Sequence, residues 1–177
     1  MLMSNIQSAV HSFLKVYDEK NFDLAFATEK INELIFENTT TEKFITFFWG
    51  ILDTDKNTFT YINAGHNQPI HFCNNNVLLM DKGGLMLGVL EKEINYETGI
   101  ATLDKNCLLL FYTDGVTEAV NKDNEELGEE KLISILTTNH HHNTGKILEI
   151  IKNEIENHSK GLPQYDDITL IVLKKNR

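Results

Sequence analysis

Two short, continuously apolar segments constrain the fold of this chain most. Residues 108–112 read LLLFY and residues 168–173 read ITLIVL. Each is too short for an ordinary helix and lacks alternation of polar and apolar residues, which predicts strands buried on both faces in the middle of a sheet. Asp114 follows the first strand, and Asp166 and Asp167 precede the second. If the strands run antiparallel, the three carboxylates collect at one edge of the sheet.

Carboxylates crowded at one edge can be explained in two ways. Like charges a few ångströms apart resist joint ionisation, and a hard divalent cation such as Mg²⁺ or Mn²⁺ removes that conflict. A water on such a metal becomes a usable hydroxide near neutral pH. The alternative is that Asp114 caps the following helix within a Thr-Asp-Gly turn, while Asp166 and Asp167 form a solvated strand entry. Spacing alone leaves both interpretations open.

The remaining pattern predicts helices near both ends and strands between them. Short connections between the strands favour antiparallel pairing. Together these elements predict an α+β fold, a sandwich of antiparallel sheets flanked by helices, in a single domain of 177 residues. The predicted helices are 2–18, 23–37, 127–136 and 146–158, the last capped by Thr144. The predicted strands are 44–52 and 58–63, joined by a five-residue loop, then 69–73, 77–80, 94–102, 107–112 and 166–173, the last with Asp166 and Asp167 at its start, and with a turn at Gly83 and Gly84.

The charge of the chain limits its partners. With 16 Lys and Arg against 26 Asp and Glu, the net charge is −10, which argues against binding nucleic acid or an anionic membrane. No segment approaches the roughly 18 apolar residues of a membrane span, and no secretory leader is evident, so a cytoplasmic chain is expected. Cys73 and Cys107 lack metal-site spacing and are expected to be buried thiols of a reducing compartment.

Five segments of the chain form a recognisable set by their order and spacing. They are YINAGHNQPIHF (61–72), GGLMLGVL (83–90), LLLFYTDGVTEAVN (108–121), ELGEEKL (126–132) and YDDITLIVL (165–173). Together they resemble the catalytic domain of SpoIIE-type phosphatases, which belong to the metal-dependent PPM protein serine/threonine phosphatases. The resemblance covers essentially the whole chain. It implies two antiparallel sheets flanked by helices, and two Mn²⁺ or Mg²⁺ ions that activate a water to attack phosphoserine or phosphothreonine.

The resemblance assigns residues to the metal site. Asp114 in TDGV and Asp166 in DDIT match the metal-ligand aspartates of the family. Asp167 occupies the adjacent position, and it is expected to support the loop or orient a ligand from outside the metal shell. Gly115 belongs to the same TDGV segment and is expected to support its shape.

Other polar residues have a structural explanation as well as a functional one. His66 in NAGH could contact phosphate or a metal-bound water, but a turn with a hydrogen-bonded histidine is the favoured interpretation. Glu118 lies four residues past Asp114 and could face the site, although a surface glutamate in a first helical turn is commonplace. The run 140–142, HHH, is interpreted as a solvated loop.

The chain departs from the family at one motif. SpoIIE-type phosphatases also use an earlier aspartate, in a Gly-Asp-Val-x-Gly-His/Lys-Gly type segment, which bridges the two metals, and no equivalent occurs in these residues. The expectation is therefore a domain without its N-terminal strands and first metal motif, with weak metal binding and little turnover in isolation. Open sheet edges would favour a homodimer or a partner chain. By resemblance, the substrate is a phosphorylated anti-sigma-factor antagonist or similar protein, and a regulatory domain precedes the catalytic part. The rival hypothesis is a non-catalytic remnant that serves as a protein-interaction module.

Overall fold

The computed structural model describes residues 2–16, 22–38, 43–92, 94–164 and 166–175. The chain divides into two compact units, Met1–His66 with Asp81–Ala101 and Asn67–Met80 with Thr102–Arg177. The prediction of a single domain is not decided by this division and stays a prediction. The elements are α1 (Leu2–Val16), α2 (Leu24–Glu37), β1 (Phe47–Asp53), β2 (Thr58–Ala64), β3 (Ile70–Cys73), β4 (Asn76–Leu79), β5 (Gly83–Gly84), β6 (Gly99–Thr102), β7 (Leu108–Tyr112), α3 (Asp114–Thr117), α4 (Glu129–Asn139), α5 (Thr144–His158) and β8 (Leu170–Lys174).

Helices α1 and α2 of the first unit follow the predicted apolar stripes. Ile6 of α1 is buried, and the predicted end of this helix at 17 and 18 lies outside the described residues. Helix α2 begins after Asp23, whose side chain accepts a hydrogen bond from the backbone N–H of Phe26 at 3.0 Å, as an N-cap does. The buried side chain of Asn32 then ties α2 to a later loop, because its amide donates to the carbonyl of Leu90 and accepts from the N–H of Gly88. The stripe of α2 is therefore core, as predicted, and in α1 the described part of the stripe packs on the same core, with Ile6 buried and Val10 and Phe13 partly buried.

The sheet of the first unit contains the predicted hairpin. Strands β1 and β2 pair antiparallel from Phe47 opposite Ala64 to Asp53 opposite Thr58, so the loop has four residues, not five. The turn predicted at Gly83 and Gly84 is wrong: this pair is strand β5, parallel to β2. A side chain at position 83 would lie 1.8 Å from the carbonyl oxygen of Asn63, so only glycine allows the strands to approach this closely. The strand predicted at 94–102 is reduced to β6, which also pairs with β2.

The sheet of the second unit has the strand order β4-β3-β7-β8, with every pair antiparallel. Its core joins the sheet to α4 and α5 through apolar side chains that include Leu108, Leu110, Leu136 and Ile151. Strand β7 is buried as predicted. The prediction that the last strand lies in the middle of a sheet is wrong, because β3 and β7 occupy the centre and β8 is the end strand among the described residues. Ile171 of β8 is accordingly 53% exposed.

Three further predictions in the second unit are corrected. Asn143, not Thr144, caps α5, since its side chain accepts from the N–H of Lys146 at 2.8 Å. The expected free thiols are joined: the pairing of β3 with β7 brings Cys73 beside Cys107, and the two form a disulfide. The histidine run is a solvated loop only in part, because the ring of His140 packs 4.6 Å from the ring of Phe72.

In the part of the chain that the structure describes, no helix has both the length and the apolar character needed to cross a membrane.

Candidate functional site

The edge of the second unit where β7 ends and β8 begins is built around Thr113. The backbone N–H of Thr113 donates to the carbonyl of Thr169 at 3.2 Å, which continues the β7–β8 ladder by one step. Its hydroxyl donates to the carbonyl of Asp167 at 2.8 Å and accepts from the N–H of Thr169 at 2.9 Å. Three hydrogen bonds from one residue thus hold the segment before β8 against the end of β7.

Gly115 permits the closest approach between these two segments. It is buried, and a Cβ at this position would lie 2.7 Å from the carbonyl oxygen of Asp167 and 3.2 Å from that of Asp166. The N–H of Gly115 donates to Oδ1 of Asp114 at 3.0 Å. The backbone on both sides of the predicted metal ligands is therefore packed together, as antiparallel strands required.

The side chains of Asp114, Asp166 and Asp167 are exposed at this edge. Oδ1 of Asp166 accepts from the N–H of Asp167 at 2.7 Å, so Asp114 and Asp166 each have one carboxylate oxygen oriented by a backbone amide. Asp114 is the first residue of the short helix α3, with Thr113 as the N-cap residue, so the predicted capping by Asp114 is not what the structure shows. Carboxylate oxygens exposed in this way are the donor type that Mg²⁺ and Mn²⁺ prefer.

The donor atoms at this edge are of the right type for a divalent cation, but few of them converge. Among the described residues, three or more His, Cys, Asp or Glu ligand atoms lie within 4.8 Å of one another in one place, which does not include Asp114, Asp166 or Asp167. The edge therefore has the donor type of a hard divalent cation, and metal binding by Asp114 and Asp166 stays a prediction.

A groove of about 690 Å³ runs from this edge along α5. Gly115, Glu118 and Asp166 line its acidic end, and Ile155 and Ile168 are among the apolar residues of its walls. The backbone N–H of Glu118 donates to the carbonyl of Asp114 at 2.8 Å, and its side chain is exposed. Glu118 thus lines the same groove as Asp166, and a role for its carboxylate at the metal site stays a prediction.

The described lining of this groove contains a single basic residue, Lys152 of α5, which is 3.6 Å from Glu156 in an exposed ion pair. Neither Lys152 nor Thr113 was singled out from the sequence. The sequence did contain a signal for Thr113, because it is a hydroxyl residue between a buried strand and Asp114. For Lys152 the sequence offers no signal, since its place depends on the packing of α5.

Helix α4 is fixed to the same end of β7 by a buried polar contact. The hydroxyl of Tyr112 donates to Oε2 of Glu129 at 2.9 Å, in the first turn of α4. Burial raises the pKa of Tyr112, and the hydrogen bond to Glu129 raises it further, so the phenol stays protonated and keeps donating. The end of β7 that leads to Asp114 is therefore fixed to α4 by this contact and to the segment before β8 by Thr113.

His66 belongs to the first unit. Its backbone N–H donates to Oδ1 of Asn63 at 2.8 Å, and its Nδ1 lies 3.4 Å from the hydroxyl of Thr46. This is the turn with a hydrogen-bonded histidine that the sequence favoured. A role for His66 in contacting phosphate stays a prediction.

Known proteins match this chain in sequence and in fold. The family model of Stage II sporulation protein E (SpoIIE) matches residues 1–176. Protein IcfG of Synechocystis sp. is 34% identical over 135 residues, 75% of this chain and 21% of that protein. Phosphoserine phosphatase RsbU of Bacillus subtilis is 28% identical over 153 residues, 83% of this chain and 44% of that protein. The chain therefore spans between about a fifth and under half of the length of these relatives.

A solved structure shows the same fold at lower identity. The phosphatase domain of the cell fate determinant SpoIIE from Bacillus subtilis, in a Mn-presoaked form, matches with a TM-score of 0.63 and 17% identity, over 96% of this chain and 72% of that one. Together with the family match over nearly all residues, this confirms the resemblance read from the motifs and the α+β fold of antiparallel sheets and helices. The chain belongs to the SpoIIE family of PPM-type (PP2C) phosphatase domains.

Proposed function

We propose that this chain takes part in metal-dependent hydrolysis of phosphoserine or phosphothreonine on a bacterial signalling protein of the anti-sigma-factor antagonist type, in the cytoplasm. The observation that carries the proposal is the antiparallel pairing of β7 with β8, which brings the segments of Asp114 and Asp166 to one sheet edge beside a groove. Family membership supports the reaction class. The phosphoprotein substrate and the signalling role rest on resemblance alone.

In this proposal Asp114 and Asp166 are the metal ligands. In each carboxylate, Oδ1 accepts a hydrogen bond from a backbone N–H. This contact orients the carboxylate and thereby fixes the direction of its second oxygen. Mn²⁺ or Mg²⁺, when bound, supplies Lewis acidity and lowers the pKa of a water. Asp167 supports the loop through its carbonyl contact with Thr113, and Gly115 keeps the loop close to α3.

The groove is proposed to hold the polypeptide on one side of the phosphorylated residue. Its apolar walls suit side chains of a substrate segment, and its acidic end lies at Gly115, Glu118 and Asp166. Lys152 is placed to pair with an acidic residue of that segment. The negative charge of the chain requires a bound cation before a phosphate group can approach the acidic end.

We further propose that the shell is completed by a carboxylate from outside these residues, supplied by a further segment of the same protein or by a partner subunit. Support comes from the small number of carboxylates that converge in the described residues and from the longer relatives. Turnover by the 177 residues alone is then expected to be weak, and a regulatory domain of the same protein is a natural source of control.

The test is calorimetric titration of Mn²⁺ into the chain, combined with phosphate release from p-nitrophenyl phosphate and from a phosphoserine protein. Asp114→Asn and Asp166→Asn are expected to weaken Mn²⁺ binding by at least about tenfold, since each removes a charged ligand. Asp104→Asn is the matched control, an exposed aspartate in the same unit on the loop before β7, and it is expected to bind as the wild type does. Equal binding by all four proteins would refute the metal site. Binding without any hydrolysis, also in an assembly that supplies the proposed further carboxylate, would refute the enzymatic function and keep the site.

The second candidate function is a protein-interaction module, and the exposed face of β8 is the observation that favours it. Ile171 is 53% exposed on the end strand of the second sheet, where an added strand would find backbone partners. Sedimentation of the wild type and of Ile171→Lys tests it: a dimer lost in the variant supports this function, and a monomer at every concentration refutes self-association.

A further inference from the structure

Three side chains with soft or borderline donor atoms converge in the second unit, away from the carboxylate edge. The ligand atoms of His71, Cys73 and Cys107 all lie within 4.8 Å of one another. His71 and Cys107 are buried, and Cys73 is partly exposed. Sulfur and imidazole donors favour Zn²⁺ and similar ions, whereas the aspartates at Asp114 favour harder ones.

The backbone explains why these three side chains share one face. His71 and Cys73 are two residues apart on β3, so they project from the same side of the strand. The register places Phe72 opposite Leu108, and one further step along the antiparallel pair places Cys73 opposite Cys107. Three donors in a His-x-Cys plus Cys arrangement are therefore fixed by strand pairing, which is a rigid support for a site.

A backbone carbonyl orients the imidazole ring of His71. Nε2 of His71 lies 2.9 Å from the carbonyl oxygen of Thr102. A carbonyl only accepts, so Nε2 carries the proton and donates, which leaves the lone pair on Nδ1. An N–H donated to a carbonyl is the outer contact that metal-binding histidines usually make, because it fixes the tautomer and the direction of the other nitrogen.

We propose that the reduced chain binds one Zn²⁺ through Nδ1 of His71 and the thiolates of Cys73 and Cys107, with a water in the fourth position. Two thiolates, one imidazole and one open position make a tetrahedral set that zinc accepts in proteins. The site lies at the start of β7, whereas Asp114 follows its other end. The five residues of β7 at about 3.4 Å each put roughly 17 Å of strand between Cys107 and Asp114, so the two metal sites are independent.

The structure shows the oxidised state, in which Cys73 and Cys107 form a disulfide. Binding therefore begins with reduction by a small thiol: two RSH molecules give up two hydrogens, the protein S–S bond breaks to two thiols, and RS–SR forms. Zn²⁺ then displaces one proton from each thiol, and both protons go to solvent. In a reducing cytoplasm the dithiol is the favoured form, so the ion-binding state is the one expected there.

Ions can reach this site at Cys73, because its side chain is partly exposed at the end of β3. The net charge of −10 also favours the approach of a cation. The partly exposed thiol gives both the reductant and the ion a route.

The test uses Co²⁺ as a spectroscopic probe for zinc on the full chain. The reduced, desalted wild type is titrated with Co²⁺ without oxygen, and the same chain is titrated with its disulfide intact. The expected result is about one equivalent of Co²⁺ with a sulfur-to-cobalt charge-transfer band and the intense visible bands of tetrahedral cobalt, in the reduced chain only, with loss of both on addition of Zn²⁺.

Variants then assign the ligands. Cys73→Ser and Cys107→Ser are expected to abolish the charge-transfer band or cut its intensity by about half or more with a loss of affinity, and His71→Gln is expected to weaken binding at least about tenfold. A double substitution of His141→Gln and His142→Gln, on the loop between α4 and α5, is expected to leave the spectrum unchanged. No charge-transfer band in the reduced wild type overturns the proposal without any substitution, so misfolding of a variant cannot rescue it. A band that survives unchanged in His71→Gln overturns the three-ligand site.

Discussion

At the residue scale, the carboxylate edge depends on Gly115 having a hydrogen atom where other residues have a side chain. Gly115 lies under the carbonyls of Asp166 and Asp167 with no room for a methyl group. The glycine is required here by close approach of backbone to backbone, because its φ is not in the left-handed region. The TDG sequence suggested a turn, whereas the structure shows that the glycine allows the segment of Asp166 and Asp167 to pack against the segment of Asp114.

Gly115→Ala is expected to lower the free energy of unfolding by about 1–3 kcal/mol, because the added Cβ must push the carbonyl of Asp167 away. The same displacement is expected to weaken Mn²⁺ binding. Urea unfolding and calorimetry measure the two effects. Gly145→Ala is the matched control: its Cβ would meet its nearest neighbour at 3.6 Å, and in α5 alanine is expected to be neutral or stabilising by up to about 1 kcal/mol. Equal effects of the two substitutions would contradict the close-packing argument.

His71 gives the chain a pH dependence of stability. Burial lowers the pKa of His71 below its ordinary value of 6.5, because the charged ring loses hydration. The unfolded chain therefore takes up a proton near pH 6.5 that the folded chain does not, and the free energy of unfolding falls as pH drops below 6.5. With the disulfide intact and EDTA present, the Tm of the wild type is expected to fall more between pH 7.5 and 5.5 than that of His71→Gln. His141→Gln, on the exposed loop, should follow the wild type; a parallel fall in His71→Gln would assign the effect to other groups.

At the element scale, apolar patterns predicted which segments form helices and strands. The position of each strand in its sheet depended on its contacts with other strands. LLLFY and the hairpin were readable because burial and alternation are local properties of the sequence. The place of β8 at the end of its sheet was not, because continuous apolar residues say nothing about which neighbours are present. Gly83 and Gly84 show the same limit, since a glycine pair signals a turn until a strand such as β2 is found alongside it.

In the candidate site, too, some features were predictable from local sequence and others depended on how the elements pack. The proximity of Asp114 to the Asp166 segment followed from two strands and an assumed antiparallel pairing, so the sequence could supply it. The cluster of His71, Cys73 and Cys107 required the register of β3 on β7, and a slip of one residue would have turned the cysteines to opposite faces. The groove likewise depends on how α5 packs, which no local pattern encodes.

Helix α5 supplies one wall of the groove, and its start is fixed by a single side chain. Asn143→Ala removes the hydrogen bond to the N–H of Lys146 and is expected to lower the free energy of unfolding by about 1 kcal/mol. Asn153→Ala, at an exposed position inside the same helix, makes the same chemical change away from the cap and is expected to be neutral or slightly stabilising, because alanine is the better helix former. Urea unfolding of both variants tests this, and equal losses would show that the cap contributes nothing specific.

At the scale of the whole molecule, the order of motifs along the chain carried the family assignment, since no single segment is specific by itself. Net charge adds what motifs do not. A chain of net charge −10 at pH 7 repels itself and any phosphate group, and both effects are relieved by cations. Cations can act in two ways, by general screening and by binding at Asp114 and Asp166, and the two must be separated before any metal effect is assigned to the site.

Stability measured at constant ionic strength separates them. Screening by KCl is expected to raise the Tm of the wild type at pH 7, and to do so much less near the sequence pI of about 5.1, where the net charge is small. MnCl₂ at the same ionic strength is expected to raise it further, because an ion bound only to the folded chain adds RT ln(1 + [Mn²⁺]/Kd), about 1.4 kcal/mol at ten times Kd. The experiment is done with the disulfide intact, so that the cysteine cluster does not contribute. Asp114→Asn is expected to keep the KCl effect and lose most of the additional Mn²⁺ effect, and Asp104→Asn to keep both. An additional Mn²⁺ effect of the same size in all three proteins would mean that the ion binds elsewhere on this acidic surface, and the carboxylate edge would then have no claim to it.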